Sequence, residues 1–208
     1  SSPGAYQSSH YADGIYARGY ALFKRKLYVD ALSAFRSYLK VAPEANASKT
    51  RDAKLRAADC FFSKKDFEAA SRYYNEVIGS SDITEDYARL QLAECLGSLD
   101  RPMEEIDVLK EMIARAPQSS YIPEALYSLG RSYIETNQLP EARNAMERMQ
   151  SEFPNSARFK YALVDLCLIG VKEGRDEDVL GIWEIIRRDY GQDAIAGDAF
   201  NVVEPILI

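Results

Sequence analysis

The chain has one histidine and one tryptophan in 208 residues, and its three cysteines, Cys60, Cys95 and Cys167, form no CxxC or CxxH pair. A zinc site or a disulfide framework needs close, recurring spacing, so neither is expected and the cysteines read as small buried residues. His10 stands near the terminus with no nucleophile or ligand pair close in sequence, which leaves no catalytic set to build on it. Long apolar runs are missing as well. No stretch approaches the roughly 18–20 residues that a membrane helix requires, and Ser1-Ser2-Pro3-Gly4 does not resemble a signal peptide. Basic excess is absent: 26 Lys and Arg face 32 Asp and Glu, for a net charge of -6. That balance argues against duplex nucleic acid or an anionic membrane surface as the partner. No catalytic, cofactor or metal set emerges, and a non-enzyme is expected.

What the chain does hold is apolar and regularly placed. Hydrophobic residues make up 47% and charged residues 28%, enough for a packed core and unlike a disordered chain. Self-comparison reveals a repeat. Gln7-Ser8-Ser9-His10 has a near copy in Gln118-Ser119-Ser120-Tyr121, 111 residues on, and Gly19 and Gly130 stand at the same separation, three steps of 37. The step of 37 joins Ala93, Gly130 and Cys167, then Leu92, Leu129 and Leu166, then Leu109, Met146 and Trp183, then Pro117, Pro154 and Gly191. Earlier units drift, with 39 residues from Gly19 to Ala58 and 35 from Ala58 to Ala93, so turns vary in length while the columns persist.

Each unit contains two helix-period patterns of about 13–16 residues. The breaks inside the units are short and polar: Lys24-Arg25-Lys26, Ser63-Lys64-Lys65-Asp66, Ser98-Leu99-Asp100-Arg101, Thr136-Asn137-Gln138 and Glu173-Gly174-Arg175. Short breaks make antiparallel neighbours. Pro43, Pro117 and Pro154 close the second helices, Ser48, Thr84 and Ser156 are predicted N-caps, and residues 5–12 read as an inter-repeat turn. The predicted repeats are 12–45, 48–82, 84–119, 121–156 and 157–192, with a partial sixth helix at 194–208, forming one array across 1–208.

These residues resemble the tetratricopeptide repeat family. In the fourth unit Leu126, Leu129, Gly130 and Tyr133 fill the first helix, and Leu139, Ala142, Met146, Met149 and Pro154 follow at family spacing. Ile15, Gly19, Leu22, Tyr28, Ala31, Phe35, Tyr38 and Pro43 do the same in the first unit. Departures are Glu105 in place of alanine, Asp82 in place of the closing proline, and a fifth unit with Cys167, Gly170 and Val179. The resemblance implies an all-α fold, a right-handed α-solenoid of stacked helix-turn-helix repeats. Trp183 shares a column with Phe35, Tyr74, Leu109 and Met146 and is assigned to packing. The ends, with an inter-repeat turn at the start and apolar Pro205-Ile206-Leu207-Ile208 at the finish, are expected of a segment of a longer array.

In this family the first helices line a concave groove, and the resemblance carries that role over column by column. One column holds Tyr16, Leu55, Leu90, Tyr127 and Val164, and the next holds Tyr20, Asp59, Glu94, Arg131 and Leu168. Phe23, Phe62 and Ile134 lie one turn further along, and Asp13, Asp52, Tyr87, Glu124 and Tyr161 stand at the helix starts. A groove of aromatic and acidic side chains suits a protein or peptide partner and disfavours an acidic-tailed one. It also lacks the Lys, Arg and Asn with which chaperone-binding members grip a carboxylate. The turns Ala-Pro-Gln-Ser-Ser-Tyr and Phe-Pro-Asn-Ser-Ala, at 116–121 and 153–157, are similar to those of bacterial envelope members, which favours a periplasmic or membrane-tethered setting over the cytoplasm. The expected function is a non-catalytic interaction scaffold. The alternatives are glycan binding, or a structural spacer that self-associates through Val202, Val203, Ile206 and Leu207.

Overall fold

The structure, a computed structural model, describes residues 3–41, 47–79 and 83–207, with side chains described for 10–41, 47–79 and 85–207. Among the described residues there are eleven α-helices, one 3₁₀ turn and no strand. The chain divides into two compact units, Ser1–Arg101 and Pro102–Ile208. The first holds α1 (Pro3–Lys24), α2 (Tyr28–Val41), α3 (Ala47–Ser63), α4 (Phe67–Val77) and α5 (Ile83–Ser98). The second holds α6 (Pro102–Arg115), α7 (Ile122–Glu135), α8 (Leu139–Glu152), α9 (Phe159–Glu173), α10 (Asp176–Tyr190) and α11 (Ala194–Val203), closed by the 3₁₀ turn Glu204–Ile206. Within each unit every helix packs on the next in sequence, so each is a stack of antiparallel helices. No helix among the described residues is long and apolar enough to cross a membrane.

The small-residue column does the packing assigned to it. A Cβ built on Gly19 would lie 2.8 Å from the Phe35 ring, and one on Gly130 would lie 2.6 Å from Met146 Cε. In the fifth hairpin Gly170 meets Val179 in the same way. Helix axes approach that closely only where one side chain is missing, and Phe35 and Met146, both fully buried, fill the space. Ala58, Ala93 and Cys167 occupy the same column and are fully buried. Cys60 and Cys95 are buried too, and burial pushes all three thiols up to about 12. Trp183 is half-buried and packs against the Phe200 ring of α11, 6.1 Å away, rather than vanishing into a core.

All five hairpin turns share one backbone device. Within two residues of the end of the first helix the chain takes a left-handed conformation, at Lys26, Lys65, Asp100, Asn137 and Gly174. The next amide then reaches back five residues, as in Leu27 N–H to the Leu22 carbonyl at 3.0 Å, Asp66 to Phe61 at 3.0 Å and Arg175 to Gly170 at 2.9 Å. This arrangement satisfies carbonyls that the helix end would leave open. Asp66 then caps α4 by accepting from the Ala69 amide at 3.2 Å.

Four local expectations are corrected. Residues 5–12 are helical, part of α1. The four-residue pattern at 118–121 is a turn because Pro117 bars the helix from continuing through it, whereas nothing after Pro3 interrupts 7–10, and proline at the first helical position favours a helix. Ser48 lies inside α3, which starts at Ala47. Thr84 falls inside α5. Ser156 accepts from the Arg158 amide at 3.2 Å, but α9 begins only at Phe159, so the serine stabilises the turn before the helix. Pro43 and Asp82 lie outside the described residues, and Pro205 ends α11 in the 3₁₀ turn.

Candidate functional site

In unit 1 the first helices are α1, α3 and α5. Asp52 on α3 accepts from the hydroxyls of Tyr16 and Tyr20 on α1, both at 2.7 Å through the same Oδ2. Two turns on, Asp59 accepts from Tyr74 on α4 at 2.8 Å and from Tyr87 on α5 at 3.1 Å, while Arg56 donates to its other oxygen at 2.5 Å. Burial drives the Asp59 carboxyl upward, against the pull of Arg56 and the two phenols. The Tyr16 and Tyr20 phenols rise as well, through burial first and then the Asp52 charge. Lys49 pairs with Asp13 at 2.6 Å and also stands over the Tyr16 ring. The Tyr16 ring packs 5.1 Å from Tyr20 and 5.2 Å from Tyr38, so it has an apolar floor as well as a polar anchor.

In unit 2 the corresponding face lies on α7 and α9. Arg158 donates to both carboxylate oxygens of Glu124 through Nε and Nη2 and stacks 5.1 Å from the Tyr127 ring, which lies 6.4 Å from Tyr161. Arg131 donates to Asp165 Oδ1 at 3.1 Å. Asp165 is 4% exposed and its Oδ2 has no hydrogen-bond partner. Burial raises its carboxyl above the usual range, opposed by Arg131. Lys160 pairs with Asp193, the N-cap of α11. Beside these residues a depression of about 490 Å³ opens among Ser156, Arg158, Lys160, Tyr161 and Tyr190.

The predicted residues therefore divide. Asp13, Tyr16, Tyr20, Phe23, Asp52, Phe62, Tyr87 and Glu94 are partly exposed in unit 1, as are Glu124, Tyr127, Ile134, Val164 and Leu168 in unit 2, with Arg131 and Tyr161 exposed. Leu55, Leu90 and Asp59 are corrected to buried residues: the two leucines fill space between helices, and Asp59 is turned inward by its three donors. The acidic character read from the columns is also changed. Asp13, Asp52, Asp59 and Glu124 are all engaged within the fold.

Residues missed by column reading are the partners: Lys49, Arg56, Arg158, Lys160 and Asp165. Two signals for them were present. Asp52, Arg56 and Asp59 have helix-face spacing, and Asp165 is a lone charge in the apolar run Ala162-Leu163-Val164-Asp165-Leu166. Several of these pairs also link positions about one repeat apart, separated by 36 residues for Lys49 and Asp13, 34 for Arg158 and Glu124, and 34 for Arg131 and Asp165.

The stacked helical hairpins, with polar links from first helix to first helix, define an all-α helical-repeat protein. Family models described as tetratricopeptide repeat match residues 16–83 and 124–156. The chain is a tetratricopeptide repeat protein. Solved structures agree in fold at low identity. A tetratricopeptide repeat protein from Parabacteroides merdae aligns at TM-score 0.77 and 14% identity, covering 95% of this chain and 74% of its own. MamA from Desulfovibrio magneticus RS-1 aligns at 0.72 and 15%, covering 88% and 97%. YrrB, described as a tetratricopeptide protein with an unusual peptide-binding site, aligns at 0.65 and 14%, covering 90% and 84%. No curated protein sequence matches the chain.

Proposed function

We propose that this protein is a non-catalytic scaffold whose first-helix faces bind a segment of a partner polypeptide. The observation that carries this reading is the set of tyrosines held from beneath while part of each ring faces out. Tyr16 and Tyr20 are tethered by Asp52, and Tyr127 lies against Arg158 beside Tyr161. A ring already fixed in place loses little entropy when a partner covers it, which makes it an anchor. Because the carboxylates of these faces are engaged internally, the partner is selected by aromatic and aliphatic contacts and by hydrogen bonding more than by basic charge. YrrB's described peptide-binding site, on a similar fold, supports the same mode of use.

A photo-crosslinking residue at position 161, compared with one at exposed Lys110 on second helix α6, tests the face. The expected result is a discrete partner adduct from position 161 that Tyr127→Ser abolishes, with none from 110. Equal adducts from both positions, or an adduct indifferent to Tyr127→Ser, would remove this face from consideration.

A further inference from the structure

The turns α1–α2 and α3–α4 carry Lys24, Arg25 and Lys26, then Lys64 and Lys65, and all five side chains are exposed. Successive antiparallel packing points α1 and α3 the same way, so both turns leave unit 1 at one edge. The Arg56 guanidinium of α3 lies 5.8 Å from the Phe23 ring near the end of α1, consistent with that alignment. The five cations take part in no ion pair among the described residues, whereas Lys49, Lys54 and Arg56 on α3 are each held by an acid. Lys26 and Lys65 also occupy the left-handed position of their turns, at φ 59 and 60. Asparagine and glycine adopt that conformation at lower cost, and Asn137 and Gly174 stand there in the later turns. In the first two turns the position holds a cation instead, and in the third it holds Asp100.

Leu27 and Val29 flank the first turn and are 39% and 65% exposed. Asp30, Asp66 and Glu68 lie nearby, in or before the first turns of α2 and α4, where carboxylates complement helix N-termini, and they leave the edge net positive. We propose that this edge docks on an anionic phospholipid surface, with the five cations at the headgroup phosphates and Leu27 and Val29 entering the interface. Projecting cations beside exposed aliphatic side chains are the combination that interfacial binding uses, and a fluid headgroup layer adapts to their spacing. The net charge of -6 is a whole-chain average, and it leaves room for a local excess of positive charge at this edge.

The test is flotation of the whole chain with phosphatidylcholine vesicles, with and without phosphatidylglycerol. Binding is expected only to the anionic vesicles, and it falls as salt rises. Lys26→Gly with Lys65→Gly gives each turn the residue its backbone favours, so the fold is kept, as an unchanged or raised melting temperature will report. This pair weakens vesicle partitioning about 25-fold, at roughly fivefold per cation. Leu27→Ser with Val29→Ser also weakens it while preserving the salt dependence. Equal binding to both vesicle types, no binding to anionic vesicles at low salt, or unchanged partitioning of the glycine pair would overturn the proposal. Retention on a polyglutamate column without vesicle binding would assign the edge to an acidic protein and overturn it too. The first-helix faces do not enter this test, so either reading can fail alone.

Discussion

Replacing Asp59 by alanine withdraws one carboxylate from three donors at once. Tyr74 suffers most, since it is fully buried and its hydroxyl donates to Asp59 at 2.8 Å and to no other group among the described residues. Tyr87 is half-exposed and turns to water, and Arg56 retains Asp52, 3.5 Å away. An orphaned buried hydroxyl costs about 1–3 kcal/mol, and breaking a largely buried charge network raises the total to about 3–4 kcal/mol. Tyr74→Phe alone removes a single donor from a carboxylate that keeps two others, for about 1–2 kcal/mol. In the Asp59→Ala background the same Tyr74→Phe change removes a group with nothing left to bond, so it becomes neutral or stabilising. The double-mutant cycle is read by urea unfolding followed by far-ultraviolet circular dichroism, with hydrogen exchange of α3 and α4 locating the loss. The reasoning fails if Asp59→Ala costs under about 1 kcal/mol, or if Tyr74→Phe costs the same in both backgrounds.

Other expectations follow from the same contacts. Gly19→Ala drives a methyl into the enclosed Phe35 ring and lowers stability by about 1–3 kcal/mol, whereas Gly130→Ala meets the flexible tip of Met146 and stays within about 1 kcal/mol; thermal melts that reverse this order would refute the packing account. Asp165 has a folded pKa raised by burial, so its contribution to stability is fully present below its unfolded pKa and is lost as pH rises through the folded value. Urea midpoints of the wild type minus those of Asp165→Asn should therefore increase as pH falls through that window, and a flat difference would contradict it. Cys60, Cys95 and Cys167, buried and pushed up to about 12, should resist thiol reagents in the native state at mildly alkaline pH and all react in urea. Rapid native labelling of any of them would show that its helix pair opens readily.

Much of the fold is local and was open to reading. The columns Gly19 with Phe35 and Gly130 with Met146 recur because each hairpin must solve the same packing problem between two neighbouring helices. Where a prediction relied on likeness alone, it failed when the flanking chemistry differed, as at residues 7–10, helical without the proline that breaks 118–121. The candidate faces were legible only as columns. Exposure along a column is uneven, with Tyr16 half-exposed and its column-mates Leu55 and Leu90 buried, because it depends on what the adjoining helix presents at that height.

By itself, then, the sequence determined the repeat, the helix pairs and the small-for-large exchange at their contacts. These depend on residues within one period of each other, and the chain's covalent spacing sets them. Which charge lies beside which was decided only by the tertiary structure. Asp52 could have faced a partner as an open carboxylate, but Tyr16 and Tyr20 reach it from the preceding first helix. Arg158 likewise meets Glu124 across 34 residues. The strength of such pairs falls steeply with distance and changes with burial, and neither quantity exists until the helices are packed.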